Sequence, residues 1–431
     1  MRKIRLPNHT RIFYGAGVSY AIVDQIFAQW LLYFYLPPES SGLKAIMPPI
    51  LLSLALALSR VVDVITDPLM GYISDKTNTK YGRRIPYIAL GTLPLSLATV
   101  AFFYPPKSGN LSSFIYLTVV GSLFFTFYTV VSAPYGALIP EIGETSEERL
   151  SLSTWQSVFR LVYSAIAMIL PGSLIVWIGK SDTLTGIRGM VIVLAILSAL
   201  GACFTIFGVK EKKYSTGEVA SAKFKEVVTI VFKDKAFVTY LIGMLFFFVG
   251  FNNLRAILNY YIEDIMGYGK SSITLASGIL FGFSALFFYP TGKLSEKYGY
   301  RKIMLWSLIG LIILSIMMFF VGKTLPKSFG FVIFGLMGIF LSGSAFIFPP
   351  AMLGDIGARI SKESGQKIEG ICYGMQGFFL KMAFLISISV LPILLSVGNN
   401  GAVGKFGIYL TTLFSTLCFI ISYYFYYIYK E

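Results

Sequence analysis

Long apolar stretches alternate with short polar loops along the whole chain. Twelve of these stretches are long enough to cross the hydrocarbon layer of a membrane as helices, which takes about 20 residues. They cover residues 12–36, 45–74, 85–104, 112–140, 151–179, 189–209, 236–262, 271–292, 302–322, 328–354, 369–397 and 404–429. The pattern predicts an all-α membrane protein with twelve transmembrane helices.

The composition also indicates a lipid environment and limits the kinds of metal, disulfide and cofactor site that the chain could form. Hydrophobic residues make up 55% of the 431 positions and charged residues 13%, whereas a soluble domain carries about 25% charged residues. The three cysteines are scattered, and the single histidine, His9, precedes the first apolar stretch. This spacing predicts no metal centre, no disulfide framework and no cofactor other than a transported ion.

Lys and Arg are distributed unevenly between the two sides of the predicted membrane. When the stretches alternate across it, 24 of the 36 basic residues fall on one side and eight on the other. Because short cytoplasmic loops are rich in Lys and Arg, both termini are predicted to be cytoplasmic, in a cell membrane. The net charge of +15 is therefore attributed to membrane topology, and no nucleic-acid partner is expected.

The longest polar stretch separates two sets of six apolar stretches. The predicted domains are an N-terminal six-helix bundle at 1–209, a cytoplasmic linker at 210–235 and a C-terminal six-helix bundle at 236–431. Within the linker, SAKFKEVVTIVFK is compatible with an amphipathic helix on an anionic lipid surface or with a solvated loop. The chain is expected to act as a monomer embedded in the lipid bilayer.

Two loops on the basic side resemble each other. GYISDKTNTKYGRR begins at Gly71 and GKLSEKYGYRK begins at Gly292, six apolar stretches later, as two parallel repeats would place them. The acidic and basic residues of each loop can pair across a tight turn, which predicts a charge latch. The alternative is a basic loop that only follows the topology rule. The predicted cytoplasmic gate consists of Gly71, Asp75, Arg83, Arg84, Glu296 and Arg301.

Three charged residues lie inside the second apolar stretch, in SRVVDVITDPLMG. On a helix, Asp63 and Asp67 lie one turn apart on one face, and Arg60 lies one turn before Asp63. A carboxylate without a partner is costly in hydrocarbon, so it is expected to take up a proton or a small cation. Thr66 adds a hydroxyl nearby, and the group predicts a site for a cation or a proton. The alternative is an Arg60–Asp ion pair that only joins helices.

These motifs resemble those of a known transporter family. The loop at Gly71 is similar to the signature loop of the major facilitator superfamily, and RVVDVITDPLMG is similar to the second-helix motif of its glycoside–pentoside–hexuronide:cation symporters. The resemblance covers essentially the whole chain. It implies the major facilitator fold with two six-helix bundles. It also implies cation-coupled symport of a sugar, glycoside or uronide by alternating access.

The same resemblance implies roles for particular residues. Asp63 and Asp67 take the positions of the family's cation ligands, and YTVVSAPYGALIPE makes Thr129 a supporting ligand. In the eleventh stretch, IEGICYGMQGFFLKM is similar to a Glu, Tyr, Gln and Lys run of the family. The residues that this run implies at the substrate are Tyr373, Gln376 and Lys381.

Lys381 needs a partner irrespective of the family, because it lies about halfway along an apolar stretch. If it faces Asp63 or Asp67, its charge competes with the cation, and cation binding would free it for the substrate. A fixed salt bridge between the two halves is the alternative.

The substrate site departs from the family's sugar-binding pattern. The family's acid in the fourth stretch and its arginine in the fifth are Ser132 and Gln156 in this chain. The further residues predicted to contact substrate are Asp24, Trp30, Trp155, Arg160, Asn252 and Arg255. The three basic groups among all these candidates favour an anionic substrate, such as a uronic acid, as one alternative.

Several questions stay open from the residues alone. Two carboxylates and a hydroxyl suit both Na⁺ and H⁺. A lysolipid or another non-sugar solute is an alternative cargo for the same fold, and a membrane sensor that does not transport is a further alternative. An enzyme is not expected, because the sequence shows no nucleophile with a base, no phosphate-binding loop and no metal cluster.

Overall fold

The computed structural model describes residues 6–38, 41–106, 108–143, 145–180, 182–214, 232–364, 369–399 and 403–429. Most of these residues are helical, as the apolar pattern predicts. The chain divides into two compact units, Met1–Pro37 with Lys44–Val219 and Pro38–Leu43 with Ala220–Glu431. The predicted linker, 210–235, contains the boundary between the units, and most of it lies outside the described residues.

The first unit begins with a helical run that changes type along its length. The helices α1 (Asn8–Ala16), α2 (Tyr20–Ile26) and α3 (Leu32–Tyr35) are joined by a 3₁₀ turn at Gly17–Ser19 and a π-helical stretch at Phe27–Leu31. The helices that follow are α4 (Pro49–Lys76), α5 (Ile85–Ala101), α6 (Asn110–Ile142), α7 (Ser146–Gly179), α8 (Thr183–Gly208) and the short α9 (Glu211–Tyr214).

The second unit is also built from helices. Its elements are α10 (Lys235–Tyr260), a π-helical stretch at Tyr261–Met266, α11 (Ser271–Tyr298), α12 (Tyr300–Phe320), α13 (Phe329–Leu341), a π-helical stretch at Ser342–Ile347, α14 (Phe348–Ser364), α15 (Glu369–Ser396) and α16 (Lys405–Ile428). Asp234 caps α10 by accepting a hydrogen bond from the Phe237 N–H. The predicted amphipathic segment SAKFKEVVTIVFK lies outside the described residues apart from its last two.

Eight helices in the described part of the chain are long and apolar enough to cross a membrane. They are Asn110–Ile139, Ser151–Gly179, Thr183–Gly208, Lys235–Met266, Ser271–Tyr298, Tyr300–Phe320, Gly374–Ser396 and Lys405–Ile428. Two further apolar helices, Ile85–Ala101 and Phe329–Ala345, are shorter. The predicted all-α membrane architecture is confirmed, whereas the count of twelve crossing helices is not and stays a prediction.

In each unit, the same kind of hydrogen bond joins the last long helix to the helical run that begins the unit. Ser198 donates to the Ser19 carbonyl at 2.9 Å in the first unit, and Ser422 donates to the Gly243 carbonyl at 2.8 Å in the second. The two partners are 179 residues apart in both cases. Small hydroxyl side chains let membrane helices approach closely while they bond the facing backbone.

A second repeated bond ties a tyrosine to the end of another helix. Tyr35 donates to the Phe102 carbonyl at 3.0 Å, and Tyr261 donates to the Met318 carbonyl at 2.7 Å. Carbonyls at a helix C-terminus have no partner within the helix and need a donor from elsewhere. The two units therefore repeat tertiary contacts in addition to the loops that the sequence shows.

Candidate functional site

Helix α4 has two faces of opposite character. One face is exposed and apolar at positions three or four residues apart, which are Leu54, Leu58, Val61, Ile65, Leu69 and Ile73. The opposite face is buried and carries Ser59, Arg60 and Asp63. Charged side chains on a membrane helix turn towards the interior of the bundle, because lipid offers them no partner. The side chains of Arg60 and Asp63 therefore lie inside the first unit.

Asp63 is the centre of this buried polar group. Its Oδ2 accepts a hydrogen bond from Arg60 Nη1 at 2.8 Å, and its Oδ1 accepts one from Thr129 Oγ1 at 2.9 Å. The Arg60 guanidinium carbon also lies 4.4 Å from the ring centroid of Phe125. Buried charges are tolerated when they are paired and hydrogen-bonded, and both oxygens of Asp63 have a donor. The Arg60–Asp ion pair that the sequence allowed is present with Asp63.

Close packing of α4 against α6 brings Thr129 to Asp63. Gly121 on α6 lies against Ser59 on α4, and a Cβ atom at Gly121 would come within 2.3 Å of the Ser59 hydroxyl oxygen. The Ser59 hydroxyl lies 3.2 Å from the Thr118 carbonyl of the same facing helix. A position without a side chain is needed for this approach. Two turns further along α6, the Thr129 hydroxyl reaches the carboxylate.

This group can accept a cation if Arg60 releases Asp63. The cation would take the place of the guanidinium at Oδ2, and Thr129 can offer its hydroxyl oxygen as a ligand. Thr66 donates to the backbone carbonyl of Asp63 at 3.2 Å, so its hydroxyl lies beside the group. The side chain of Asp67 lies outside the described residues, and its role as the second acid stays a prediction. Within the described ranges, no cluster of three or more His, Cys, Asp or Glu could hold a metal ion.

A second polar group of the first unit surrounds Arg160. Its Nη2 donates to the Tyr20 hydroxyl at 3.1 Å, and Asp24 interacts electrostatically with both Arg160 and Tyr128. The Tyr20 ring meets Tyr128 and Tyr135 edge-on, at centroid distances of 5.5 and 5.6 Å. Two residues predicted from the sequence, Asp24 and Arg160, thus lie together. The tyrosines were missed, although a spacing of two helical turns places Tyr128 and Tyr135 on one face of α6.

Other residues predicted at the substrate in the first unit differ in burial. Trp30 is fully buried, and its ring meets Tyr33 edge-on at 5.2 Å. Trp155 is half-buried, with its ring 6.3 Å from Phe159. Ser132 and Gln156 are also half-buried. Trp30 has no exposed ring face, so the position favours packing over stacking on a sugar.

In the second unit, one predicted residue takes part in a hydrogen-bond chain. Gln376 Nε2 donates to the Tyr240 hydroxyl at 2.7 Å, and Tyr240 donates to the Pro349 carbonyl at 2.7 Å. The chain joins α15, α10 and α14. Tyr240 was missed because an isolated tyrosine in an apolar stretch gives no signal of its partner. The side chain of Tyr373 lies outside the described residues.

The polar residues of α10 lie next to one another. Asn252 and Arg255 are half-buried, and the Arg255 guanidinium carbon lies 5.9 Å from the ring centroid of Phe251. Between them, Asn253 is fully buried, and neither of its amide atoms has a hydrogen-bond partner among the described residues. These side chains add polar groups to the second unit, as the sequence predicts.

Lys381 lies near the middle of α15 and is half-buried. The helix agrees with the sequence-based placement of this lysine halfway along an apolar stretch. Its predicted competition with the cation for Asp63 or Asp67 would join the two units and stays a prediction.

The loop after α4 is held by partners that the sequence did not indicate. Arg84 Nε donates to Glu141 Oε1 at 2.7 Å, and Arg83 Nη2 lies 3.3 Å from the same oxygen. Arg84 Nη1 also donates to the Ser74 hydroxyl. Gly71 lies in α4, and the side chain of Asp75 lies outside the described residues. Glu141 was missed because an acid that follows an apolar stretch also fits an ordinary solvated loop.

The corresponding loop of the second unit corrects the predicted pairing. Arg301 Nε donates to the Tyr426 carbonyl at 3.2 Å, and Arg301 Nη2 donates to the Tyr427 carbonyl. Glu296 is exposed, and no ion pair between it and Arg301 is formed. The last carbonyls of α16 lack partners within the helix and carry partial negative charge, so they attract the guanidinium.

The chain is similar to known proteins over almost its entire length. The inner membrane symporter YicJ of Escherichia coli strain K12 is 24% identical over 432 aligned residues, which cover 96% of this chain and 89% of that protein. A second protein of the same strain, named "Putative glycoside/cation symporter YagG", is 26% identical over 412 residues, covering 92% and 85%.

Solved structures show the same fold. A bacterial homologue of the human lysosomal transporter Spinster superposes with a TM-score of 0.68 at 12% identity, covering 98% of this chain and 95% of that one. The family model described as MFS/sugar transport protein matches residues 13–429. With its all-helical architecture and apolar helices, this chain therefore belongs to the MFS/sugar transport protein family, in agreement with its resemblance to the glycoside–pentoside–hexuronide:cation symporters.

Proposed function

We propose that this protein is a secondary active transporter that couples the flow of a cation, Na⁺ or H⁺, to uptake of a sugar, glycoside or uronide. The observation that carries the proposal is the buried Asp63 carboxylate, held by Arg60 at 2.8 Å and by Thr129 at 2.9 Å. The relatives YicJ and YagG are both named as symporters, which supports the same class. The protein would lie in the cell membrane with both termini in the cytoplasm, as its basic residues predict.

Arg60 offers a physical route from cation binding to conformational change. With both acids ionised, Arg60, Asp63 and Asp67 carry a formal net charge of −1, so one monovalent cation or proton neutralises the group. A cation that reaches Oδ2 of Asp63 displaces the guanidinium, which then takes other partners. A ligand that changes the partners of a charged side chain couples its own affinity to the conformation, and this coupling acts equally on the second ligand.

Substrate recognition in the first unit is assigned to the group around Arg160. Tyr20 and Tyr128 offer ring faces and hydroxyls, Asp24 offers acceptor oxygens, and the guanidinium offers paired donors. Paired donors of this kind suit a carboxylate particularly well. The group therefore accommodates hydroxyl-rich sugars and is compatible with a uronide.

Transport then follows from alternate opening of the site to the two sides of the membrane. In this fold the two six-helix halves rock around a site near the middle of the bilayer. The membrane potential contributes about 2.3 kcal/mol per elementary charge per 100 mV. A monovalent cation moving inward with a neutral solute would use this energy to concentrate the solute.

Uptake into proteoliposomes tests the proposal. Purified protein is reconstituted, and a Na⁺ gradient or a H⁺ gradient is imposed separately while a panel of neutral sugars, glycosides and uronides is offered. We expect one of the gradients to drive accumulation of at least one member of the panel. Asp63→Asn and Asp67→Asn should each abolish accumulation, whereas Asp355→Asn, at an exposed aspartate of α14, should leave it intact.

Two results would overturn parts of the proposal. If both asparagine variants still concentrated substrate, the cation would not bind at these acids. If a lysolipid were transported and no member of the sugar panel competed with it, the substrate class would be incorrect while the fold and the coupling remained.

A further inference from the structure

Two buried acidic side chains meet at one end of the first unit, at the end predicted to be cytoplasmic. Glu141 lies twelve residues beyond Thr129 on α6, or about 18 Å along the helix axis. This position separates it from the Asp63 group. Its neighbour Glu211 opens α9, the short helix that follows α8. Glu211 is fully buried, and Glu141 is 7% exposed.

Glu211 is held as a carboxylate by backbone donors. Its Oε1 accepts from the N–H groups of Arg83 and Arg84 at 2.6 and 3.0 Å, and its Oε2 accepts from those of Arg84 and Ile85 at 2.9 and 3.0 Å. These N–H groups precede or begin α5 and have no partner within that helix. Both oxygens of Glu211 therefore have donors, and neither needs a partner from Glu141.

Gly82 makes this approach possible. Its backbone φ is +119°, and a Cβ atom at this position would lie 2.2 Å from Glu211 Oε2. Glycine alone adopts such a conformation readily and leaves room for the carboxylate. The loop that the sequence predicts as part of the cytoplasmic gate therefore also binds the Glu211 carboxylate.

One carboxylate oxygen of Glu141 accepts a hydrogen bond, and the other has no donor among the described residues. Its Oε1 receives Arg84 Nε at 2.7 Å. Its Oε2 is buried, and no donor in the described part of the chain reaches it. Both acids contact Arg84, Glu141 through the Arg84 Nε at 2.7 Å and Glu211 through the Arg84 backbone N–H at 2.9 Å, and the interaction with Glu211 contributes to a raised pKa of Glu141. Two ionised carboxylates only accept hydrogen bonds, so they repel each other at close range, whereas a proton between them forms a short charge-assisted bond.

We propose that Glu141 and Glu211 form a proton-binding site that is separate from the Asp63 group. The proton comes from solvent, forms an O–H bond at Glu141 Oε2 and is donated to the Glu211 carboxylate. No other bond forms or breaks, and loss of the proton returns the two facing carboxylates.

A proton suits this place better than a metal cation. The guanidinium groups of Arg83 and Arg84 repel a metal cation, which keeps its positive charge when it binds, whereas a proton forms a covalent O–H bond and neutralises the carboxylate. Only one carboxylate oxygen of the pair lacks a donor, whereas a hard cation collects several oxygen ligands. Burial of Glu141, together with its contact to Glu211, raises the pKa of Glu141 above its ordinary value, and the neighbouring Arg84 opposes this shift without reversing it.

Binding of the proton strengthens the contact between α9 and the loop before α5. Glu211 is the first residue of α9, and the backbone N–H groups that hold it belong to residues Arg83–Ile85. Deprotonation of Glu141 would place a second negative charge beside Glu211 and weaken this contact. The pH on this side of the membrane would then set the fraction of molecules in which Glu211 is held by the loop.

The sign of the pH dependence follows from the raised pKa of Glu141. Between the ordinary glutamate pKa and the raised one, the folded protein binds more protons than the unfolded chain does. Stability from this pair is therefore fully present below the ordinary value and is lost as the pH rises through the raised pKa. Among the described residues, the charged groups that face Glu141 are Glu211, Arg83 and Arg84.

Thermal unfolding and infrared spectra of the purified full-length protein test the proposal. The protein is placed in nanodiscs of neutral lipid, at constant Na⁺ and without substrate. We expect the wild-type melting temperature to fall as the pH rises through the titration of the pair. Glu141→Gln should lose that fall and exceed the wild type at high pH, because its amide donates to Glu211 at every pH. It should also lose a carbonyl stretch of a protonated carboxyl group.

The second unit supplies a matched control. Asp355 occupies the position in MLGDIG that Glu141 occupies in LIPEIG, and it is exposed. Asp355→Asn should keep the wild-type pH profile and the infrared band. In Glu211→Gln, the charged partner is gone, so the Glu141 band should titrate at lower pH than in the wild type.

The proposal fails if Glu141→Gln keeps both the pH profile and the protonated-carboxyl band. If Glu141→Gln does not fold, Glu211→Gln provides the test by itself. The proposed site is then wrong if the protonated-carboxyl band titrates at the same pH in Glu211→Gln as in the wild type. Neither measurement uses transport, so failure here leaves the proposed symport untouched, and failure of symport leaves this site untouched.

Discussion

The two units share a helical scaffold but differ in charge at corresponding buried positions. Both join the last long helix to the helical run that begins the unit, through a serine hydroxyl that donates to a backbone carbonyl at the same separation of 179 residues. In the first unit, Asp63 lies eight residues before the loop glycine Gly71 and is fully buried. Eight residues before Gly292, the second unit has the neutral Ser284, which is also buried.

The same contrast holds at the neighbouring positions. Counted from the two loop glycines, Arg60 and Asp67 correspond to Phe281 and Phe288. The second unit thus packs this helix without an ion pair at these positions. The charges in the first unit are therefore not required by the helix packing itself, and intramembrane charges that the fold does not require indicate function.

The largest effect is expected when the two loop arginines are compared. Arg84→Gln removes the nearer of the two cations beside buried Glu141 and leaves Arg83 at 3.3 Å, so the loss should reach at most the cost of breaking a buried pair, about 3–5 kcal/mol of unfolding free energy. Arg301→Gln removes hydrogen bonds to two carbonyls at a helix end and should cost about 1 kcal/mol. Unfolding in mixed detergent micelles at neutral pH measures both.

Acidification sharpens this first comparison. Because burial raises the pKa of Glu141, lowering the pH protonates Glu141 and removes the charge that Arg84 no longer balances in Arg84→Gln. The loss caused by this variant should shrink at low pH, while the loss caused by Arg301→Gln should not. Equal losses for the two variants at neutral pH would remove the contrast between the units.

A smaller effect is expected from two buried threonines. The Thr129 hydroxyl donates to the Asp63 carboxylate, whereas the Thr411 hydroxyl donates to the Gly407 carbonyl of its own helix at 2.8 Å. A hydrogen bond to a charged group contributes about 1.5–3 kcal/mol. Thr129→Val should therefore weaken apparent cation affinity about 10- to 100-fold.

The cation dependence of uptake into proteoliposomes measures this change. Thr411→Val serves as the control and should leave the half-saturating cation concentration unaltered, because its hydroxyl serves only its own helix. A similar loss in both variants would mean that general packing, not ligand geometry, is responsible.

The smallest effect is expected at the repeated serine bond. Ser198→Ala and Ser422→Ala each remove one interhelical hydrogen bond, and such bonds contribute about 0.6 kcal/mol on average. We expect equal, small losses of unfolding free energy, which add in the double variant because the two bonds share no partner. A much larger loss at one serine would show that the scaffold is not equivalent in the two units.

The second apolar stretch shows how much of the site could be predicted. Its periodicity places Arg60 and Asp63 one turn apart on a buried face, and the structure confirms their pairing. The residues alone did not identify Thr129, which is 66 positions away from Asp63; it entered through the family resemblance. Tyr20, which meets Arg160 across 140 positions, was not identified at all.

The loops show a different kind of limit. Local spacing favoured a latch within each loop, but Arg84 meets Glu141 on α6, and Arg301 meets the end of α16. Glu211, more than 120 positions from the N–H groups that hold it, looked like part of a charged linker. Acids near the ends of membrane helices are common, so their type and position carry no sign of burial.

The sequence by itself determined that this chain is an integral membrane protein, that it is helical and that its two halves carry related loops. These features depend on hydropathy and short-range periodicity, which are properties of neighbouring residues. Only the tertiary structure decided which acid meets which base and which acid has an oxygen left without a donor. Those pairings depend on distances and burial between helices far apart in the chain, and side-chain charge is stabilised or opposed by these surroundings rather than by its sequence neighbours.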